Sequence, residues 1–186
     1  MTVQTPVPMD KATFLGWAER QEENYELVRG RVVMMTGGPR GHSHILFNLA
    51  TALDTRIDLD TWAVLPEFGV EVGPATIRFP DIVVDPAGGA VTDRTATAPV
   101  LIAEVMSPSS ARIDLGDKAA EYLRLPSLGT YVVVASDEIK LWVWTRTATG
   151  FSSGPVVLGD IAASVEVPAL GIALPLAEIY ARVQLD

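Results

Sequence analysis

Two acidic residues of this 186-residue chain stand where an unpaired acid is expensive. Glu104 interrupts the apolar run Val100-Leu101-Ile102-Ala103-Glu104-Val105-Met106, and Asp81 lies inside Ile77-Arg78-Phe79-Pro80-Asp81-Ile82-Val83-Val84. An ionised carboxylate buried without a partner costs on the order of several kcal/mol, so both positions call for compensation. Two carboxylates on adjacent strands suit a hard, oxygen-seeking cation such as Mg²⁺, which accepts one or two carboxylates and keeps several waters. Lys118 is the third residue of interest. At about 100° per residue, Ala111, Leu115, Ala119 and Tyr122 form an apolar stripe, and Lys118 lies roughly 60° from Leu115 at its margin. From there an amine can reach inward, where a cation stabilises negative charge developing on a phosphate or a water, while Asp117 and Arg124 face solvent. The plainer alternatives are a turn acid after Pro80, a structural ion pair for Glu104 and a solvated helix lysine at 118.

Elements able to position these residues can be read from pattern. Asp10 or Thr13 caps a short helix to about Arg20, with Phe14, Leu15 and Ala18 on one face. Tyr25–Val28 and Arg31–Met35 read as strands around an Arg29-Gly30 turn. After the break 36–41, the spacing of Ile45, Leu46, Leu49, Ala52 and Leu53 predicts a helix from His42 to Leu59. Val64-Leu65, Phe68–Val72 and Ile77–Val84 read as three short strands, and Val100–Met106 as a strand covered on both faces at the centre of a sheet. A helix at Ile113–Leu125, a strand at Tyr131–Ala135, a hairpin of Ile139–Thr145 with Phe151–Leu158, and a final helix from Pro175 to near Val183 complete the order. No internal repeat or heptad run is present.

Length and 48% hydrophobic content fit one domain over residues 1–186 with one sizeable core. The chain has no cysteine, which removes disulfides and thiolate metal sites and suits a reducing cytoplasm. Met1–Pro6 lacks a basic stretch leading into an apolar run, and no segment approaches about 18 uninterrupted apolar residues, so neither a secretory leader nor a membrane span is expected. A net charge of −9 argues against tight non-specific binding to nucleic acid, although carboxylates that hold cations cancel part of it. Arg29, Arg31, Arg40 and Arg112 are candidate phosphate contacts or ordinary surface arginines. Trp142 and Trp144, two apart on a strand, either stack bases or pack a core or dimer face. Ser107, Ser109 and Ser110 lack the Ser-His-acid arrangement of a nucleophile and read as loop and helix-start residues.

In order along the chain come Tyr25-Glu26-Leu27-Val28-Arg29-Gly30, His42-x-x-Ile45, Asn48-Leu49, Pro80-Asp81, Glu104-Val105-x-Ser107-Pro108-Ser109, Asp114 and Lys118. Pro126-Ser127-Leu128-x-x-Tyr131 and Leu174-Pro175-Leu176-Ala177-Glu178-Ile179-Tyr180 follow. In these residues, over nearly its whole length, the sequence resembles the Uma-type restriction endonuclease family of the PD-(D/E)XK nuclease superfamily. The resemblance implies an α/β fold of mixed α+β character, a restriction-endonuclease-like core with a central mixed sheet flanked by helices and extra β-hairpins. It implies metal binding by Asp81 and Glu104, with Glu26 and His42 as accessory groups of the active site. Position 106, where the superfamily pattern has lysine, is Met, and the resemblance moves that role to Lys118.

The expectation is a Mg²⁺-dependent endonuclease, with Mn²⁺ as the alternative cation, in which the Val105 carbonyl joins Asp81 and Glu104 on the metal and DNA is the substrate. Cutting both strands of a duplex takes two such sites, so a homodimer is expected. The rivals are a non-catalytic nuclease-fold module that binds DNA or protein, and a metal-dependent phosphoesterase acting on nucleotides or RNA.

Overall fold

A computed structural model describes residues 8–107 and 110–185 of the chain. Met1–Pro6 and the Pro108-Ser109 step of the motif after Glu104 lie outside the described residues. Helix α1 (Lys11–Ala18) starts at Asp10, whose carboxylate accepts from the Thr13 amide at 2.9 Å, and it buries Phe14. Strands β1 (Tyr25–Val28) and β2 (Arg31–Met34) follow as an antiparallel hairpin, turning on Arg29 and Gly30 at φ 52° and 77°. Two positive φ values in succession are what a two-residue hairpin loop demands. Helix α2 (Arg40–Asp54) starts two residues before the predicted His42 and stops five short of Leu59. It stops because Asp58 ties the next segment into a turn, accepting from the Asp60 amide and the Thr61 hydroxyl.

Strands β3 (Trp62–Pro66), β4 (Val70–Gly73), β5 (Thr76–Arg78) and β6 (Ile82–Pro86) correct the reading of this region as three strands. The apolar segment Ile77–Val84 divides at Phe79-Pro80-Asp81, and its halves join different sheets. Proline, with no N–H to donate, ends the first ladder there. Strand β7 (Leu101–Met106) is buried throughout. The predicted helix 113–125 is a π-helical turn, Ile113–Lys118, running into α3 (Ala119–Tyr122). Next come β8 (Thr130–Ala135), β9 (Leu141–Thr147), β10 (Gly150-Phe151) and β11 (Val156–Leu158), the last two being the predicted strand 151–158 broken around Gly154-Pro155. A hairpin absent from the sequence reading, β12 (Ser164–Val167) with β13 (Ile172–Pro175), precedes α4 (Leu176–Ile179). This last helix is shorter than predicted; the chain leaves it where the Tyr180 hydroxyl bonds the Ala135 and Lys140 backbone, and Arg182 sits at φ 61°.

The larger sheet has the order β10-β9-β8-β7-β6-β3, with β11 also on β9. Only β7 and β8 in it run parallel, across the crossover that carries the π-helical turn and α3. Alternation along β7 sends Leu101, Ala103 and Val105 to the core under α2 and α4, and Ile102, Glu104 and Met106 to the core under α3. The smaller sheet, β2-β1-β5-β4, packs Leu27 and Ile77 against Phe14 of α1. Among the described residues no helix is long and apolar enough to cross a membrane.

Candidate active site

The register of β6 on β7 pairs Ile82 with Ala103. One further step along that ladder sets Asp81 opposite Glu104, and cross-strand neighbours on one face hold their Cβ atoms about 4.5–5.5 Å apart. Period-two alternation turns both side chains to the α3 side of the sheet. Asp81 stands just before β6 and is partly exposed; the apolar residues after it are fully buried. Its Oδ2 accepts from the Val105 amide at 2.6 Å and its Oδ1 faces His42 Nε2 at 3.2 Å. Within an extended strand the N–H and C=O of one residue point to the same edge, so the Val105 carbonyl is also turned toward β6.

Glu104 is only 4% exposed. Its Oε1 accepts from Lys118 Nζ at 2.9 Å and from the Tyr122 hydroxyl at 2.9 Å. Its Oε2 has no hydrogen-bond partner among the described residues. Lys118 also reaches Asp114 Oδ1 at 3.2 Å, one turn back on its own helix. The predicted inward reach of Lys118 is therefore seen, on a π-helical and not a regular α-helical turn, with Asp117 and Arg124 exposed as read. The turn is held from below by the Tyr131 hydroxyl, which donates to the Asp114 carbonyl at 2.9 Å. The ion-pair alternative for Glu104 thus has a partner by name, and that partner is the candidate catalytic amine.

Glu26 is buried on β1, where both its oxygens are engaged, Oε2 with Arg78 Nη1 at 2.9 Å and Oε1 with the Phe79 amide at 3.1 Å. His42 lies in the first turn of α2. Glu26, His42, Arg78, Asp81, Glu104 and Lys118 line one cavity of about 440 Å³, into whose wall Val105 also enters. The five side chains singled out in the sequence are brought together. Arg78 and Tyr122 were missed as members of this group. Arg78 carried a signal, a charged residue at the end of an apolar strand; Tyr122 carried none, since its helical spacing matches a core position. Trp144 stacks on Tyr131, centroids 5.4 Å apart, inside the core, which removes it as a base platform. Arg29, Arg31, Arg40 and Arg112 are exposed. Ser107 and Ser110 shape the loop after β7, the Ser110 hydroxyl accepting from the Ser107 amide.

The electrostatics follow from burial. Desolvation pushes the Glu104 carboxyl up to about 8; Lys118 opposes this, and the charges of Asp81 and Asp114 add to it. Burial works to depress the Lys118 amine, but Glu104, Glu26 and Asp114 outweigh it and hold the amine charged above its ordinary range. The hydrogen bond to Asp81 raises the His42 imidazole despite its partial burial. The cavity floor is thus richer in acid than in base, with one buried carboxylate whose charge the protein only partly satisfies. Among the described residues no group of three or more His, Asp or Glu side chains is arranged to hold an ion. The donors at the centre are two carboxylates and the Val105 carbonyl, all hard oxygen ligands of the kind that Mg²⁺ takes alongside water.

A sequence-family model described as "Putative restriction endonuclease", Uma2, matches residues 12–177. Two uncharacterized proteins of Synechocystis sp. are similar: slr1290, 29% identical over 149 residues, 74% of this chain and 74% of that protein, and sll1609, 27% identical over 147 residues, 72% and 78%. The crystal structure of a protein from Anabaena variabilis, described as a putative nuclease belonging to DUF820, superposes with a TM-score of 0.78 at 16% identity, covering 95% of this chain and all of that one. That likeness fixes the fold as the mixed α+β, nuclease-type arrangement expected from the sequence. With the family model spanning nearly the whole chain, β1 through β13 and every residue of the cavity included, the protein belongs to the Uma2 family of putative restriction endonucleases.

Proposed function

We propose that the protein is a divalent-cation-dependent endonuclease that hydrolyses phosphodiester bonds in DNA at the Asp81–Glu104–Lys118 cavity. The observation that carries this reading is the convergence of Asp81 at the foot of β6, Glu104 on β7 and the Lys118 ammonium on one cavity in a member of a nuclease family. Asp81 and Glu104, with the Val105 carbonyl, are the groups that would hold Mg²⁺ or Mn²⁺. The chemistry such a cation supplies is Lewis acidity, which makes water nucleophilic near neutral pH and neutralises phosphate charge. Lys118, held charged by its acidic neighbours, would stabilise charge that grows on the phosphate. His42 orients Asp81 through its Oδ1, leaving the Val105 amide to fix Oδ2. Glu26 acts at the edge of the site as an accessory group. Severing a duplex takes two such sites, so the working form is proposed to be a homodimer.

A second reading is favoured by the charge distribution. The net charge is −9, and the two cations lining the cavity, Lys118 and Arg78, are both engaged by carboxylates. A nuclease-fold module that binds DNA or protein without cutting accommodates that balance. Nicking of supercoiled plasmid with Mg²⁺ or Mn²⁺ separates the two. Metal-dependent nicking that disappears in Asp81→Ala and Glu104→Gln is expected; equal activity in all three preparations denotes contamination and removes the catalytic reading. Parallel assays on single-stranded DNA and on RNA test the choice of DNA, which fails if RNA is cut preferentially.

A further inference from the structure

Arg78 is the one buried arginine among the described residues. Its Nη1 donates to Glu26 on β1 at 2.9 Å, and its Nε and Nη2 donate to the two oxygens of Glu121 on α3 at 2.7 and 3.3 Å. Glu26 gives its other oxygen to the Phe79 amide. From Arg78 the chain runs Phe79-Pro80-Asp81; from Glu121, Lys118 is one helical turn back. A single guanidinium therefore sits between the segment that delivers the acid of the site and the helix that delivers its amine. Tyr122 and Tyr131 tie that helix to the larger sheet, and Arg78 supplies a polar tie to the smaller one.

As sources of stability such buried networks are weak, because well-packed apolar side chains of similar volume do as well or better. What an arginine fork supplies that they do not is direction and spacing, since its planar donors fix two carboxylates at once. We infer that Arg78 is a positioning residue, whose guanidinium sets the separation of Asp81 and Lys118 by way of Glu26 and Glu121 without touching substrate. The inference rests on the hydrolytic reading of the same cavity for its kinetic consequence, and on geometry alone for its mechanical one.

The test uses the full chain with Glu121→Gln, Arg78→Lys and the double variant. Two readouts are taken: kcat and KM for plasmid nicking, and amide hydrogen exchange of the substrate-free protein. Glu121→Gln keeps shape and a neutral acceptor, so it carries the test if Arg78→Lys does not fold. Each single variant is expected to lower kcat about tenfold to a hundredfold with KM within about twofold, the range that a misplacement near 1 Å produces. Exchange should rise in residues 113–122 and at the Phe79 amide while β7 and β8 stay protected. The double variant should be no worse than the worse single one, because both changes break one link. Unchanged kcat in folded Glu121→Gln, a KM effect with kcat intact, or multiplying defects would overturn the assignment. If the wild-type protein nicks nothing with either metal, the nuclease reading has failed on its own account. Exchange then decides the clamp, and unaltered exchange at 113–122 sinks it.

Discussion

Burial of Glu104 has a thermodynamic signature that can be read without any substrate. Desolvation pushes its carboxyl up to about 8 in the folded chain, against 4.5 for an exposed glutamate. A raised carboxyl pKa means that the folded state binds a proton more tightly than the unfolded state, so stability must fall as pH climbs between those two values. Integrating that difference from pH 5 to pH 7.5 gives a loss of about 3 kcal/mol, out of about 5 kcal/mol for the full shift. For a chain of this size that corresponds to a drop of roughly 6–12 °C in Tm. The assay is urea or thermal unfolding in EDTA at half-unit steps of pH, wild type beside Glu104→Gln, whose amide fills the same space and cannot titrate. His42 contributes in the same direction and remains in both proteins, so the difference between the two curves isolates Glu104. Millimolar Mg²⁺ is expected to restore wild-type stability at pH 7.5 and to leave Glu104→Gln nearly unmoved, because a cation satisfies only the ionised carboxylate. Parallel curves for the two proteins across this range would refute the argument that Glu104 is held in an environment hostile to its charge.

Two further outcomes are expected. Tyr122→Phe removes the 2.9 Å hydroxyl bond to Glu104 while preserving the ring packing, and should destabilise the protein by about 1.5–3 kcal/mol in urea unfolding; a change below about 0.5 kcal/mol would mean that the bond is not formed. A Cβ added at Gly38 would lie 2.4 Å from the His42 ring, against open space at Gly37. Gly38→Ala should therefore push the imidazole off Asp81, bringing its NMR titration down toward 6.5 and slowing nicking, with Gly37→Ala as the silent control.

Local pattern made much of the molecule readable in advance. The Arg29-Gly30 turn, the doubly covered β7 run and the amphipathic spacing of α2 are written in adjacent residues, because turn chemistry and burial periodicity act over a few positions. The same logic singled out Asp81 and Glu104, since the cost of burying charge can be judged from immediate neighbours. The partners that meet that cost cannot be judged so. Glu26 and Arg78 are 52 positions apart, Arg78 and Glu121 43, and Tyr122 meets Glu104 across 18. Nor did local pattern show that Pro80 divides one apolar stretch between two sheets, that the Lys118 turn widens to a π-helix, or that β12 and β13 pair. Those outcomes depend on which surfaces close on one another, and ladder pairing and buried ion pairs acquire their energy only when distant segments have already met. Sequence thus determined which groups must find a partner, and tertiary structure alone decided that they find it in the same cavity.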